Sequence, residues 1–274
     1  MNRKFIVITL LAAAAVFLIS FGVRNFVAKR SARVADRRDK ENRESLLELA
    51  DRYNSAGDYL KAKAALEEFG NRSSGQVPAA QIRKDIEDLN IKILFSDTVT
   101  DDSFLYEIKA GDTLSKIASG FNTTVELLKK SNSLKTDIII PGKLLKVTKA
   151  RFSILVDRSD NTLALMKSGG ETIKNYRVST GKDLSTPTGT FKIEEKLVSP
   201  VWYKVGVVVK PDNPDYELGS RWMGLSKPEY GIHGTKNPFS IGQHITRGCI
   251  RMRNKDVEEV YAIVPSGTEV TIVE

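Results

Sequence analysis

The most informative segment of the chain is Ile245-Thr-Arg-Gly-Cys-Ile-Arg-Met252, which follows the triplet His233-Gly-Thr235. It contains Cys249, the only cysteine among 274 residues, and His233 is one of only two histidines. Sixteen positions separate the thiol from the imidazole, and each lies beside a glycine. This pattern is typical of a cysteine nucleophile with its general base. On these residues alone, a buried structural cysteine is the alternative.

Three separated motifs extend this segment. They are Tyr230-Gly-Ile-His-Gly-Thr-Lys-Asn-Pro-Phe-Ser-Ile-Gly242 with Thr246-Arg-Gly-Cys-Ile-Arg-Met-Arg-Asn-Lys-Asp256, then Val178-Ser-Thr-Gly-Lys182 with Thr186-Pro-Thr-Gly-Thr-Phe191, and the end Ile263-Val-Pro-Ser-Gly-Thr-Glu-Val-Thr-Ile272. Together they resemble the L,D-transpeptidase catalytic domain, the YkuD family, from about Phe152 to Val273. The resemblance implies a mainly-β sandwich whose cysteine cross-links or trims peptidoglycan stem peptides.

The resemblance also implies roles for particular residues. Cys249 would be the nucleophile and His233 its base, with the backbone carbonyl of Gly234 orienting the imidazole. Backbone N–H groups around Arg247, Gly248 and Cys249 would form the oxyanion hole, where they stabilise the developing negative charge. Gly248 would also permit the unusual dihedral angles of a tight turn.

The substrate pocket is predicted less sharply. Arg251 would shape the pocket or hold a substrate carboxylate, whereas Arg253 is expected at the surface. Thr246 is expected to form a hydrogen bond near the active site. The segment Pro200 to Pro228 contains both tryptophans and is the expected lid or pocket wall. Trp202 is the pocket candidate, although tryptophans are more often core residues.

The sequence departs from the family pattern at one position. Many members have a histidine two residues before the cysteine, where this chain has Arg247, so the role of base falls to His233. His244 is expected to be an ordinary exposed or supporting residue. No acidic third member of a triad is evident, because Asp256 fits the start of a helix.

Composition excludes several other classes. One cysteine and two histidines are too few soft ligands for a structural zinc site, so neither a metal nor a cofactor is expected. A single cysteine also excludes an internal disulfide framework. The net charge of +8 suits nucleic acid, but no nucleic-acid motif is present. An anionic cell wall is the expected partner.

The N-terminus contains a candidate membrane anchor. Residues 5–23 are nineteen consecutive uncharged, mostly apolar residues, preceded by Arg3 and Lys4. A cleaved signal peptide is the alternative, but the length of the run favours an anchor. Residues 24–43 contain eight Lys/Arg against three Asp/Glu, which the positive-inside rule would place in the cytoplasm. We nevertheless expect export to the outer side of the membrane, where peptidoglycan lies and where the basic run would meet anionic lipid or wall polymers.

Residues 31–98 are expected to be helical. Leu46, Leu47, Ala50 and Tyr53 form one apolar stripe, Asp58 begins a second segment, and residues 70–75 are expected as a loop. The stretch from Leu49 to Ala62 resembles a single tetratricopeptide-like helix pair. Such arrays usually need about three repeats, so a helical spacer is the preferred interpretation.

Residues 104–148 resemble a LysM module. The residues that carry the resemblance are Tyr106-Glu-Ile-Lys-Ala-Gly-Asp-Thr-Leu-Ser-Lys-Ile-Ala118, Thr124-Val-Glu-Leu-Leu128, Asn132 and Ile138-Ile-Ile-Pro-Gly-Lys-Leu-Leu-Lys-Val147. The order is strand, helix, helix, strand. The resemblance implies binding to N-acetylglucosamine-containing glycans, usually near the loop after Gly111 and near Ile139 to Pro141.

The predicted organisation is an anchor (1–30), a helical spacer (31–98), a LysM module (104–148) and a catalytic domain (151–274). We expect an envelope L,D-transpeptidase whose partners are peptidoglycan stem peptides, glycan strands and the membrane, and not nucleic acid. Two enzymatic alternatives stay open, an L,D-carboxypeptidase and an enzyme that attaches proteins to peptidoglycan. A non-catalytic, wall-tethering LysM protein is the alternative from another class.

Overall fold

The computed structural model describes residues 24, 29–30, 44–72, 79–204, 207–213 and 216–274. The predicted span, residues 5–23, lies outside these ranges. Over the ranges described, none of the helices has both the length and the apolar character needed to cross a membrane. The chain divides into two compact units, residues 1–82 and 83–274.

The first unit contains a helical segment, α1 (44–55), and the helix α2 (Tyr59–Arg72). Its apolar face buries Ala62, Leu66 and Phe69. Asp58 precedes α2, and its carboxylate accepts a hydrogen bond from the Lys61 N–H at 3.3 Å, as helix-start residues do. The prediction that a loop begins at Gly70 is wrong, because α2 continues to Arg72. An ion pair from Arg72 to Glu68, one turn back, supports that last turn at 2.5 Å.

Helix α3 (Ala79–Phe95) leads into the second unit and packs there as part of its core. Ile91 and Leu94 are buried in the main hydrophobic cluster. The side-chain amide of Asn90 donates to the Ile173 carbonyl at 2.9 Å. The C-terminal half of α3 is therefore fixed to the catalytic domain.

The LysM module has the predicted order of elements: β1 (Ser103–Glu107), α4 (Leu114–Phe121), α5 (Val125–Ser131) and β2 (Leu144–Thr148). The two strands pair antiparallel, with Phe104 opposite Val147. Thr113 caps α4 by accepting from the Lys116 N–H, and Asn122 ends it in the left-handed conformation at φ 51°. The module's own core consists of Ile108, Leu114, Ile117, Ala118, Leu128, Leu145 and Val147.

The LysM module packs directly on the catalytic domain. Leu127 of α5 is fully buried within the catalytic core cluster. Lys146 donates to the carbonyls of Ile93 and Ser96 at 2.9 and 2.7 Å, and burial lowers its pKa to about 8. Within the second unit, α3 and α5 thus contribute side chains to the catalytic core, while the LysM module also has a separate core of its own.

The catalytic domain is mainly β, as predicted. Its elements are β3 (Phe152–Asp157), β4 (Thr162–Lys167), β5 (Thr172–Arg177), β6 (Thr180–Gly181), β7 (Gly189–Val198), β8 (Trp202–Lys204), β9 (Val207–Val209), β10 (Arg221–Leu225), β11 (Gly231–His233), β12 (His244–Thr246), β13 (Ile250–Arg251), α6 (Asn254–Ile263) and β14 (Glu269–Val273), with 3₁₀ turns at Lys182–Leu184 and Pro238–Ser240. Eight strands form one sheet in the order β13-β11-β10-β7-β14-β3-β4-β5.

The long strand β7 joins the two halves of this sheet. Its first residues pair with β14, and its last residues pair with β10. Ile154 and Leu163 from one half lie in the same buried cluster as Met223, Ile232 and Ile250 from the other. The two halves therefore enclose one core, as a sandwich does, and β11 and β13 bring the predicted site to one edge of the sheet.

Candidate active site

His233 ends strand β11, and Cys249 directly precedes the neighbouring strand β13. β11 and β13 pair in parallel, with Ile232 opposite Ile250 and His233 opposite Arg251. Because side chains alternate along a strand, the paired residues His233 and Arg251 project from one face of the sheet. Cys249 lies directly before β13, two positions before Arg251. Ile232 and Ile250 project from the other face and are fully buried in the core. The short parallel pair therefore places His233 in β11 beside the strand that Cys249 directly precedes.

The imidazole of His233 is held by the backbone. Its Nδ1 atom lies 2.7 Å from the carbonyl oxygen of Gly234, which can only accept, so Nδ1 carries the proton. The Nε2 lone pair is left available. Only 4% of the residue is exposed, and burial lowers the pKa of His233 to about 4. The Gly234 carbonyl raises this pKa and the Arg251 charge lowers it further. The ring is therefore neutral at physiological pH.

Trp222 forms the wall behind the imidazole. It lies opposite His233 in the antiparallel pair of β10 and β11. The two rings stack with their centroids 5.9 Å apart and their planes inclined by 25°. Gly231 allows the indole to lie this close, since a Cβ there would be 2.6 Å from the ring. The sequence prediction named Trp202 as the pocket tryptophan, and only strand pairing shows that Trp222 lies against His233.

The Cys249 thiol is partly exposed and unpaired by any disulfide. Its Sγ donates to the Glu229 carbonyl at 3.5 Å. Burial raises the pKa of Cys249, while the Gly231 N–H and the Arg251 charge act in the opposite direction. A raised thiol pKa beside a lowered imidazole pKa makes the resting pair neutral.

The turn before Cys249 is held by Thr246. Its hydroxyl donates to the Cys249 carbonyl at 2.6 Å and accepts from the Gly248 N–H at 3.2 Å. Gly248 has φ 127°, a conformation that favours glycine. The Gly248 N–H, an expected oxyanion donor, is therefore already occupied. The neighbouring Arg247 side chain is exposed.

The second sequence motif packs against this turn. β6 pairs in parallel with β12, with Thr180 opposite His244. A Cβ on Gly181 would lie 3.0 Å from the Gly248 Cα and 2.6 Å from the Thr186 backbone nitrogen. The Thr186 hydroxyl accepts from the Gly181 N–H at 2.7 Å. Two glycines from separate motifs thus allow the backbones to touch beside Cys249.

The guanidinium of Arg251 is held by two side chains. It donates to the Ser240 hydroxyl at 3.2 Å and to the Glu217 carboxylate at 3.2 Å. Its Nε is buried without a partner among the described residues. Ser240 lies within the first motif and Glu217 within the segment from Pro200 to Pro228, but the sequence singled out neither residue. Arg253 is largely exposed, as expected.

The remaining predicted residues lie as follows. His244 is exposed, with Nδ1 2.9 Å from the Thr180 hydroxyl and Nε2 3.1 Å from the Asn161 amide. Asp256 lies in the first turn of α6. Trp202 lies in β8, and its side chain falls outside the described part of the chain. The described residues contain no cluster of three His, Cys, Asp or Glu side chains able to hold a metal.

Comparison with known proteins gives two family matches. The model of the L,D-transpeptidase catalytic domain, YkuD, matches residues 151–272, and that of the LysM domain matches residues 106–148. The chain is 39% identical over 177 residues to the putative L,D-transpeptidase YkuD of Bacillus licheniformis, which covers 61% of this chain and 98% of that protein. It is 41% identical over 175 residues to the Bacillus subtilis protein of the same description, over 61% of this chain and 97% of that protein.

A solved L,D-transpeptidase structure from Mycobacterium smegmatis aligns with a TM-score of 0.40 and 20% identity, over 50% of this chain and 65% of that one. The two Bacillus relatives are matched over nearly their whole length at about two identical residues in five. The chain therefore belongs to the YkuD family of L,D-transpeptidases, with a LysM module before its catalytic domain.

Proposed function

We propose that Cys249 is the nucleophile of this L,D-transpeptidase and that His233 is its general base. The observation that supports this most directly is the parallel pairing of β11, which ends at His233, with β13, which Cys249 directly precedes, together with the His233 tautomer fixed by Gly234. A free Nε2 facing the thiol side of the sheet is what proton transfer from Sγ requires. Trp222 limits rotation of the ring by stacking on it.

The resting pair is a neutral thiol and a neutral imidazole. Burial raises the pKa of Cys249 and lowers that of His233, so a preformed thiolate–imidazolium pair is disfavoured. His233 therefore accepts the thiol proton as Sγ attacks the carbonyl of the third residue of a stem tetrapeptide. The Cys249 N–H is the oxyanion donor we assign, since the Gly248 N–H is bonded to Thr246.

The first half-reaction ends with an acyl-enzyme. The C–N bond to the terminal D-alanine breaks, the leaving amine takes the proton from His233, and a thioester remains on Cys249. An amine from a neighbouring stem then attacks the thioester. His233 takes the proton of that amine and returns it to the departing thiolate. The product is a cross-link between the third residues of two stems.

Arg251 is proposed to shape the pocket beside the nucleophile. Ser240 and Glu217 hold its guanidinium, and the strand register places it next to His233. A positive charge at this position suits a stem-peptide carboxylate. Thr246 and Gly248 would hold the turn that presents Cys249.

The LysM module is proposed to bind the glycan strand near the turn after Gly111 and near Ile140. Ile138 and Ile140 are 77% and 59% exposed, as a sugar-binding surface requires. Because Leu127 of the module is buried in the catalytic core, the bound glycan would lie at a fixed offset from Cys249. The module would then align the substrate as well as raise its local concentration.

The enzyme is proposed to act at the outer face of the cytoplasmic membrane, held there by residues 5–23. This part of the proposal rests on the length of the apolar run and on the location of peptidoglycan. Membrane fractionation of the full chain and of a chain starting at residue 24 tests it. We expect the full chain to remain in the membrane fraction and only the shortened protein to be released from it. Equal release of both would contradict anchoring.

Intact-protein mass spectrometry with a purified disaccharide-tetrapeptide tests the catalytic proposal. Wild-type protein is expected to form a stem adduct and to accumulate cross-linked dimer, whereas Cys249→Ala forms neither. Accumulation of tripeptide alone would identify an L,D-carboxypeptidase, and adduct transfer to a protein amine would identify an attachment enzyme. Retained glycan binding without any adduct would favour a wall-tethering protein.

A further inference from the structure

One peptide group connects His233 to the side chain of Asn254, a motif residue to which the sequence assigned no role at the site. The carbonyl of Gly234 accepts from His233 Nδ1 at 2.7 Å. The N–H of the same peptide, which belongs to Thr235, donates to Oδ1 of Asn254 at 3.0 Å. No described peptide bond is cis, so the two groups point in opposite directions. The imidazole and the Asn254 amide therefore hold the two sides of one peptide plane.

Asn254 also fixes a second strand end. Its Oδ1 accepts from the Ser220 N–H at 3.1 Å. Since two N–H donors converge on one atom, that atom must be the amide oxygen. Ser220 immediately precedes β10, which carries Trp222 behind the imidazole. One side-chain oxygen thus ties together the backbone before β10 and the backbone after β11.

Two glycines leave room for this contact. A Cβ on Gly219 or on Gly234 would lie 2.3 or 2.2 Å from Asn254 Oδ1. Gly219 also has φ +64°, which favours glycine. Asn254 is the first residue of α6, and the other end of that helix packs against the LysM module through Ala262. The Asn254 amide is therefore positioned by a helix whose other end is fixed by a further contact.

We propose that Asn254 is a positioning residue for catalysis, acting through the Gly234–Thr235 peptide to hold the carbonyl that orients His233. The inference rests on the proposed role of His233 as base. When the amide oxygen accepts from the Thr235 N–H, it polarises that peptide and strengthens the Gly234 carbonyl as an acceptor. Asn254 would thereby orient the imidazole through one intervening peptide, whereas the carboxylate of a catalytic triad orients it by a direct hydrogen bond.

The test compares Asn254→Ala and Asn254→Asp with wild type in single-turnover acylation by the disaccharide-tetrapeptide. Asparagine-to-alanine removes both acceptor bonds. We expect the limiting acylation rate to fall by about 10²-fold, with substrate affinity within about threefold, as for a misplaced catalytic group. Asparagine-to-aspartate keeps an acceptor of the same shape and is expected to recover the rate to within about tenfold of wild type.

The pH profile separates positioning from mere stabilisation. A carboxylate at position 254 would favour the imidazolium of His233, so the acid limb of the Asn254→Asp profile should move to higher pH than that of wild type. The control is Asn90→Ala, which removes one buried side-chain bond to Ile173 far from the site. It should lower the melting temperature without changing the acylation rate or the profile.

A double-mutant cycle completes the experiment. If Asn254 acts through His233, Asn254→Ala should slow the residual reaction of a His233→Ala protein by less than about twofold. The inference is overturned by folded Asn254→Ala protein acylating at the wild-type rate, or by Asn254→Asp reacting as slowly as Asn254→Ala. If Asn254→Ala fails to fold, the pH profile of Asn254→Asp decides instead. An acid limb at the same pH as that of wild type would then overturn the inference. Wild-type acylation by His233→Ala alone would instead refute the proposed base.

Discussion

The hydroxyl of Thr124 in the LysM module donates a hydrogen bond to the carbonyl of Ala262 in the last turn of α6. The same hydroxyl caps α5 by accepting from the Leu127 N–H at 2.9 Å. The Lys196 ammonium donates to the carbonyls of Tyr261 and Val264 at 2.7 and 2.8 Å. Side chains from both domains therefore provide hydrogen-bond donors for the carbonyl groups at the end of α6. A residue of the LysM module therefore provides one of the hydrogen bonds at the C-terminal end of a catalytic-domain helix.

Leu127→Ala should destabilise the catalytic domain although the residue belongs to the LysM module. Leu127 is fully buried in the catalytic core, and removing such a side chain costs about 2–5 kcal/mol. Denaturant unfolding followed by tryptophan fluorescence measures this loss, because both tryptophans lie in the catalytic domain. Leu105→Ala is the matched control, since Leu105 is 51% exposed. An unchanged unfolding midpoint for Leu127→Ala would mean that the two domains unfold independently.

Stability should fall in mild acid because of His233. The folded pKa is about 4, below the ordinary value near 6.5, so the unfolded chain binds the proton more readily. The free energy of unfolding is expected to decrease as pH falls from about 6.5 towards 4, by up to about 3 kcal/mol. Thermal unfolding of wild type and His233→Asn at pH 7 and pH 4.5 measures the effect. The variant should lose less stability, and equal losses would contradict a buried neutral imidazole.

The thiol should react like a buried thiol and not like a preformed thiolate. Burial raises the pKa of Cys249, so the iodoacetamide alkylation rate should keep rising with pH beyond about 8.5, the ordinary thiol value. Alkylation measured by intact mass between pH 5 and pH 10 gives the profile, and Cys249→Ala controls for other sites. A fast plateau from about pH 5 would instead indicate a thiolate–imidazolium pair.

Gly181→Ala should impair acylation more than it impairs folding. The added methyl group would meet the Ser185 hydroxyl, the Thr186 nitrogen and the Gly248 Cα. It would displace the turn that carries the nucleophile, and a misplacement near 1 Å can cost about 10² in rate. Single-turnover acylation measures the loss. Gly120→Ala is the control, since nothing lies within 4 Å of its Cβ position. Equal rates for the two variants would show that the glycine contact does not shape the site.

The two arginines after the nucleophile should differ in importance. Arg251 is 12% exposed at its side chain and bound to Ser240 and Glu217, whereas Arg253 is 45% exposed. Arg251→Gln is expected to reduce acylation by at least about tenfold, because it removes a charge-assisted contact beside the thiol. Arg253→Gln should retain the wild-type rate. If both variants behave alike, Arg251 is not a pocket residue.

The sequence by itself determined the chemistry and the order of the modules. The lone thiol, the scarce imidazole and the glycines beside them made Cys249 and His233 the candidates for nucleophile and base, since few residue types perform this reaction. The alternating burial of Phe152–Asp157 in β3 and the capping of α4 by Thr113 are local effects, which depend on short segments of sequence. Local patterns were misleading at Gly70, where an ion pair within α2 extends the helix.

Only the tertiary structure decided which residues surround the proposed site. Trp222 lies against His233, and Glu217 against Arg251, because strands and loops distant in sequence meet at the edge of one sheet. In the sequence, Asn254 is only the expected first residue of a helix. The fold is what brings its amide to the Gly234–Thr235 peptide. Register and the close approach of backbones are long-range properties, so they are fixed by packing of the whole domain and not by any single segment.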